Sequence, residues 1–206
     1  YRRGEPVRQL VEASRAASLL VVGTRSRRLL ATTLLGSVSR GVSERAYCPV
    51  VIVRELADPD DEDDPGRVVC GVDGSPVSTA AVEFAFRMAS VRRAPLTLLH
   101  ATWDRREQAS ALIDLRSYAE KVNLSEEEER LVSETVAGLC EKYPDVTVTE
   151  CYRRGEPVRQ LVEASRDASL LVVGTRSRRL LATTLLGSVS RGVSERAYCP
   201  VAVVRP

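Results

Sequence analysis

Residues 68–78 read Val-Val-Cys-Gly-Val-Asp-Gly-Ser-Pro-Val-Ser, and this stretch decides the fold. Val68 to Val72 is a short, uninterrupted apolar run, the pattern of a strand covered on both faces. Asp73-Gly74-Ser75-Pro76 then turns the chain, with Ser75 placed to cap a helix and Pro76 at its first position. Ala81, Phe84, Ala85 and Met88 follow at helical spacing. A buried strand that feeds a helix through a tight turn is the opening unit of an alternating β/α chain.

Downstream the alternation continues. Leu96 to Ala101 is a second apolar run, whereas residues 103–123 are polar and irregular and carry no assignable pattern. Ser125 with Glu128 makes a capping box for a helix whose apolar face is Leu131, Val132, Val136 and Leu139. Val146 to Thr149 alternates as a third strand, and Gly155-Glu156-Pro157 opens a helix carrying Val158, Leu161 and Val162. Next come a buried strand (Leu170–Val173), a loop rich in Gly and Arg, a helix from about Ser188 to Ala197 and a last strand (Val201–Val204). Residues 67–206 therefore predict a doubly wound, parallel, five-stranded α/β sheet with helices on both faces, Rossmann-like in type. Ligands of such sheets bind at the carboxyl ends of the strands, where the strand order reverses. Here those are the loops after the first and fourth strands.

Upstream lies an internal repeat. Tyr1–Arg54 recurs as Tyr152–Arg205 with only three differing pairs: Ala16/Asp167, Val51/Ala202 and Ile52/Val203. Packing alone does not hold surface arginines identical, so the unit of architecture is a duplicated half-domain. The expected organisation is the back half of one domain (1–54), a linker (55–66) and one whole domain (67–206). The linker, ELADPDDEDDPG, is acid-rich, holds two prolines and has no periodic apolar position. A half-sheet built from residues 1–54 alone exposes an apolar face and an unpaired edge.

Apolar residues make up 44% and charged residues 28%, which places the chain among soluble globular proteins. Net charge is only +2, but residues 1–54 are strongly basic and the linker offsets them. No segment reaches the roughly 18 apolar residues of a membrane span, and no signal-peptide pattern is present. The five cysteines (48, 70, 140, 151, 199) form no CxxC pair and have no histidine at metal spacing. Each lies in or beside an apolar run, which reads as structural thiols in a reduced, cytoplasmic setting.

The loop after the fourth strand runs Gly174-Thr-Arg-Ser177-Arg-Arg-Leu-Leu-Ala-Thr-Thr-Leu-Leu-Gly187-Ser188-Val-Ser190. Gly174 lets a ligand approach the backbone at the strand end. Gly187-Ser188 opens a helix whose free N–H groups suit a phosphate. Ser188 and Ser190 add hydroxyls, and Arg176, Arg178 and Arg179 add positive charge. The alternative is a capped helix beside a solvated basic loop, since cap serines are common.

VVCGVDGSPVS, GTRSRRLLATTLLGSVS and a closing CPVAVV, in that order, resemble the universal stress protein family over residues 67–206, and residues 1–54 resemble its second half. The resemblance implies an ATP-binding regulatory module that acts through nucleotide-dependent conformation or dimerisation. In the family's nucleotide-binding branch a Gly, two residues, Gly, nine residues, Gly, then Ser or Thr cradles the triphosphate. An Asp after the first strand contacts the adenosine end. Carried over, the implied site comprises Gly71, Asp73, Gly174, Thr175, Arg176, Ser177, Arg178, Gly187, Ser188, Val189 and Ser190, with Mg²⁺ accompanying the nucleotide. Gly23, Ser26, Gly36 and Ser37 repeat the phosphate side in the first copy. Ser177 and Ser26 stand where the motif has its middle glycine. If that position needs positive φ, serine costs on the order of 1 kcal/mol.

Catalytic machinery is not evident. His100, at the end of the second strand, is the single histidine, so no Ser/His system assembles with alternatives, and a histidine in an apolar run is usually structural. No GxxxxGK[ST] loop occurs, so slow ATP hydrolysis is the most to be expected. Two other readings compete. One is a nucleotide-free interaction module in which Ser177 has closed the site. The other is a polyanion or nucleic-acid binder built on the Arg pairs 2/3, 27/28, 153/154 and 178/179. No aromatic residues interleave those arginines, against the second. Finally, the family resemblance implies pairing of last strands, here 49–53 with 200–204 within one chain or between chains.

Overall fold

The computed structural model describes residues 4–24, 35–54, 66–73, 76–102, 136–175 and 186–205. In chain order they form α1 (Pro6–Ala13), β1 (Leu20–Gly23), α2 (Ser37–Arg45), β2 (Val50–Val53), β3 (Arg67–Val72), α3 (Pro76–Arg92) and β4 (Leu96–Thr102). Helical residues 136–142 follow as α4, then β5 (Val148–Arg154), α5 (Pro157–Ala164), β6 (Ala168–Gly174), α6 (Ser188–Arg196) and β7 (Val201–Val204). The capping box at Ser125/Glu128, Leu131, Val132 and the turn residues Gly74 and Ser75 lie outside the described residues.

All seven strands join one sheet in the order β1-β2-β7-β6-β3-β4-β5. Every neighbouring pair is parallel except β2 and β7, which run antiparallel with Val50↔Val203, Val51↔Ala202 and Ile52↔Val201 in register. The last strands of the two copies thus pair within the chain. Two of the three differing pairs, Val51/Ala202 and Ile52/Val203, fall on this seam.

Local signals set the helices. Glu156 caps α5 through its carboxylate, which accepts from the N–H groups of Val158 and Arg159 at 3.2 and 2.8 Å, and Pro157 takes the first helical position. Before it Gly155 adopts φ +134°, and a Cβ there would meet the Gln160 amide at 2.6 Å, so only glycine fits the turn. The first copy repeats this with Glu5 and Pro6. Each helix ends on a buried serine, Ser14 or Ser165, whose hydroxyl accepts from the backbone N–H of Tyr47 or Tyr198 at 2.9 Å. That bond ties the helix to the turn before the last strand.

The sheet is covered on two faces. On one, α1, α2, α5 and α6 pack with β strands into a single core that includes Val7, Val42, Ile52, Val158, Leu171, Val193 and Val203. Both copies share this core because a two-fold normal to a sheet keeps each copy's helices on the same side. On the other face Ala81, Phe84, Ala85, Phe86 and Ala89 of α3, with Val136 and Leu139 of α4, cover Val68, Cys70, Leu170, Val172, Ala202 and Val204.

Two arginines lock the seam. Arg54, after β2, donates to the carbonyl of Ser194 in α6, and Arg205, after β7, donates to the carbonyl of Ser43 in α2. Burial lowers the pKa of Arg54, partly opposed by the charge of Glu195. Arg54→Met keeps most of the aliphatic stem and removes the donor, and is expected to cost about 1–3 kcal/mol, read from a lower urea midpoint at unchanged m.

Three details depart from the sequence reading. The third strand runs Val148–Arg154 rather than over 146–149. It is an edge strand with alternating partial exposure, so Glu150, Arg153 and Arg154 can extend it without being buried. Cys140 is exposed, not a core hydrophobe, and Cys151 is half-buried, whereas Cys48, Cys70 and Cys199 are buried. Burial raises the thiol pKa of those three, that of Cys199 to about 12. His100 is buried at the carboxyl end of β4, in a place considered next.

Candidate functional site

Within residues 67–206 the strand order is β7-β6-β3-β4-β5. The chain leaves β3 toward β4 on one side and returns to β3's other flank as β6. The order therefore reverses between β3 and β6, and their carboxyl ends flank the crevice where such sheets take ligands. Gly71↔Val173 is the last paired position across it. Asp73 follows β3 directly and is exposed; Gly174 ends β6 and Thr175 follows it. The sheet thus brings together the two loops that the sequence separates by a hundred residues.

Helix α6 supplies the third wall. Gly187 is its N-cap at φ −57° and ψ 154°, with no side-chain hydrogen bond to the cap. Among the described residues no side chain caps the first N–H groups, and the positive end of the helix dipole is available to an anion. Ser188 is exposed and Val189 half-buried. Ser190 is buried and its hydroxyl donates to the Gly187 carbonyl at 3.1 Å. Among the described residues a Cβ on Gly187 would meet only the Ser190 hydroxyl, at 3.5 Å, an ordinary contact, so their packing does not require this glycine.

Thr175 is 3% exposed, and among the described residues its hydroxyl oxygen has no hydrogen-bond partner. A buried hydroxyl left unpaired costs about 1–3 kcal/mol, so it marks a position waiting for a donor or acceptor. The described residues fit a phosphate group: among them are a helix N-terminus without a side-chain cap, an exposed serine, a glycine with no close described neighbour and a buried hydroxyl without a described partner at the strand end. Among the described residues no group of three or more His, Cys, Asp or Glu is placed to hold a metal ion.

Gly71 also carries a packing constraint. A Cβ there would press on Leu161 at 3.1 Å and Val173 at 3.5 Å, so this glycine lets α5 close onto β3. Arg176, Ser177, Arg178 and Arg179 lie outside the described residues, as does Ser26. In the first copy Gly23, Gly36 and Ser37 are exposed. There the Ser39 hydroxyl donates to the Gly23 carbonyl at 3.1 Å, a bond from helix N-terminus to strand end. Its counterpart Ser190 turns back to its own cap instead.

The sequence reading passed over one neighbour of the site. His100 is in register with Val72 on one side and Tyr152 on the other, and its ring centroid lies 6.1 Å from that of Tyr152. Burial lowers its pKa, opposed by the negative charge of Asp73 and a hydrogen bond to the Val72 backbone. His100 thus stands close enough to the Asp73 carboxylate to feel its charge. Its only sequence signal was its place at the carboxyl end of a predicted strand. Because its folded pKa lies below the unfolded value of about 6.5, the unfolded state takes up the proton first. Stability is expected to fall as pH drops below about 6.5, and His100→Gln to flatten that part of the profile, measured as urea midpoints between pH 5 and 8.

Comparison with known proteins accords with this architecture. The model of the Universal stress protein family matches residues 1–54 and 65–205. Universal stress protein Rv2005c of Mycobacterium tuberculosis is 39% identical over 202 residues, covering 97% of this chain and 66% of its own. Universal stress protein Rv2623 of the same species is 39% identical over 199 residues, 95% of this chain and 64% of its own. The chain thus spans about two thirds of the length of these relatives. A universal stress protein structure from Archaeoglobus fulgidus superposes with a TM-score of 0.71 at 24% identity, over 98% of this chain and 67% of that one, which attests the fold. With a family match over both repeats and relatives at this identity, the chain belongs to the universal stress protein family.

Proposed function

We propose that residues 67–206 form an adenine-nucleotide-binding module, and that ATP, carried with Mg²⁺, is its ligand. The observation that carries this reading is the crevice at the strand-order switch, flanked by Asp73, by Gly174-Thr175 and by the start of α6, where among the described residues the buried Thr175 hydroxyl has no partner and the helix has no side-chain cap. Phosphates sit over the N–H groups of residues 188–190 with Ser188 and Thr175 as hydroxyl partners, and Asp73 accepts from the adenosine end. Binding changes the surface that a partner or a second chain reads. The module works by binding rather than by turnover, with ATP hydrolysis slow at most. This reading puts it in the cytoplasm, and it takes residues 1–54 as a second half-domain that shares the seam across the 55–66 linker.

A nucleotide-free interaction module is the second reading, favoured by Ser177 at the motif's middle glycine. Calorimetric titration of the full chain with Mg-ATP separates the two. Saturable binding supports the nucleotide reading. A folded chain that takes up no heat favours the other, with Ser177→Gly as the rescue. Among the described residues no helix is long and apolar enough to cross a membrane.

A further inference from the structure

One helix start occurs twice in this structure, with two different sets of hydrogen bonds. Gly23-Thr24 and Gly36–Arg45 of the first copy have the same sequence as Gly174-Thr175 and Gly187–Arg196 of the second. The strand ends match: the Thr24 N–H donates to the Val53 carbonyl and the Thr175 N–H to the Val204 carbonyl, both at 2.9 Å. The helix caps match too, with Gly36 at φ −58° and ψ 149° and Gly187 at φ −57° and ψ 154°. The hydroxyls differ. In the first copy Ser43 donates to the Ser39 carbonyl at 2.7 Å and Ser39 donates to the Gly23 carbonyl at 3.1 Å, so the helix is tied to the strand end. In the second copy Ser190 donates to the Gly187 carbonyl of its own cap at 3.1 Å. There the buried hydroxyls of Thr175 and Ser194 have no partner among the described residues.

We propose that the Ser190 hydroxyl is a two-position latch on the crevice. Donating to the Gly174 carbonyl, it ties α6 to the end of β6 and shuts the approach to the helix N-terminus. Donating to the Gly187 carbonyl, it leaves that approach open. The first copy shows the tied position with identical residues on a matching backbone, so the switch takes a side-chain rotation and no change of fold. The open position is the poorer one on its own. Its acceptor, the Gly187 carbonyl, already takes the Arg191 N–H at 2.9 Å, and buried hydroxyls left unpaired are costly. A phosphate oxygen over the N–H groups of α6, against the Thr175 hydroxyl, supplies the missing partner and holds the latch open. The second copy therefore stands in the ligand-ready position, and affinity carries the cost of untying the latch. This inference rests on the nucleotide reading of the crevice. It adds to that reading a side chain that competes with the ligand for the gap.

The test follows glycine carbonyl resonances by NMR in the isotope-labelled full chain, with Mg-ATP as the ligand. Ser39→Ala first shows how the Gly23 carbonyl moves when it loses its hydroxyl donor. In the native chain Mg-ATP is expected to move the Gly174 carbonyl in the same direction and to leave Gly23 in place. In Ser190→Ala the Gly174 carbonyl starts at the released position and does not respond. That variant binds Mg-ATP about two- to tenfold tighter by calorimetry, the worth of one net hydrogen bond that no longer competes. Ser190→Cys, close in size with a weak donor, gives the same pattern if the alanine variant folds poorly. Mg-ATP binding that leaves the Gly174 carbonyl unmoved overturns the latch and leaves the nucleotide reading standing, as does affinity unchanged or weakened in both Ser190 variants. Binding by Ser190→Ala but not by the native chain supports a latch that is shut. No binding by the native chain or by either variant overturns both.

Discussion

Val172→Asp is expected to unfold the protein or leave it barely folded, while Val21→Asp, the same change in the same local sequence, leaves it folded. Val172 is 0% exposed, in register with Cys70 and under α3. Aspartate there forfeits the roughly 1.5–3 kcal/mol that a buried valine contributes. It also places a carboxylate among apolar neighbours, a change of the kind that costs more than about 4–5 kcal/mol in all. Domain stability is on the order of 5–15 kcal/mol, so the variant loses most of it. Val21 is 58% exposed on the outermost strand, where aspartate loses only strand preference, about 1 kcal/mol. Urea midpoints read the contrast directly. Equal midpoints would show that the two copies are equally covered in solution, against the structure.

The second large effect is on ligand binding. Gly187→Val is expected to abolish Mg-ATP binding while the chain stays folded. At φ −57° and ψ 154° the Gly187 backbone suits any residue, and among the described residues the nearest atom to a new Cβ is 3.5 Å away. The described packing therefore has no need of the glycine, but a phosphate seated on the N–H groups of α6 does, because a branched side chain fills the approach. Gly71→Val is the counter-case: it clashes with Leu161 and is expected to lower stability with any loss of binding following from that. Calorimetry with Mg-ATP, beside circular dichroism for folding, separates the two. ATP binding undiminished in folded Gly187→Val would move the ligand away from α6.

Much of this was readable in the chain. The apolar run Val68–Val72, the Glu156-Pro157 cap and the Gly187-Ser188 helix start are local devices, and each stands in the structure where its residues predict. The third strand was misjudged because Glu150 to Arg154 look unlike strand until one knows they lie at an edge. His100 was read as core because its neighbours in sequence are apolar; its neighbour in space, Asp73, comes from another strand. Gly71 carries a packing constraint as well, from Leu161, ninety residues on, that no local pattern shows.

The repeat draws the line most sharply. Sequence by itself determined the elements: Leu19–Gly23 and Leu170–Gly174 are identical, and both enter strands, since turn chemistry, capping and apolar runs act within a few residues. Tertiary structure alone decided what those strands are worth. One is sealed between β3 and β7 and beneath α3, and the other borders the sheet with Val21 in solvent. Burial is a property of which segments meet across the chain, and no local pattern carries it.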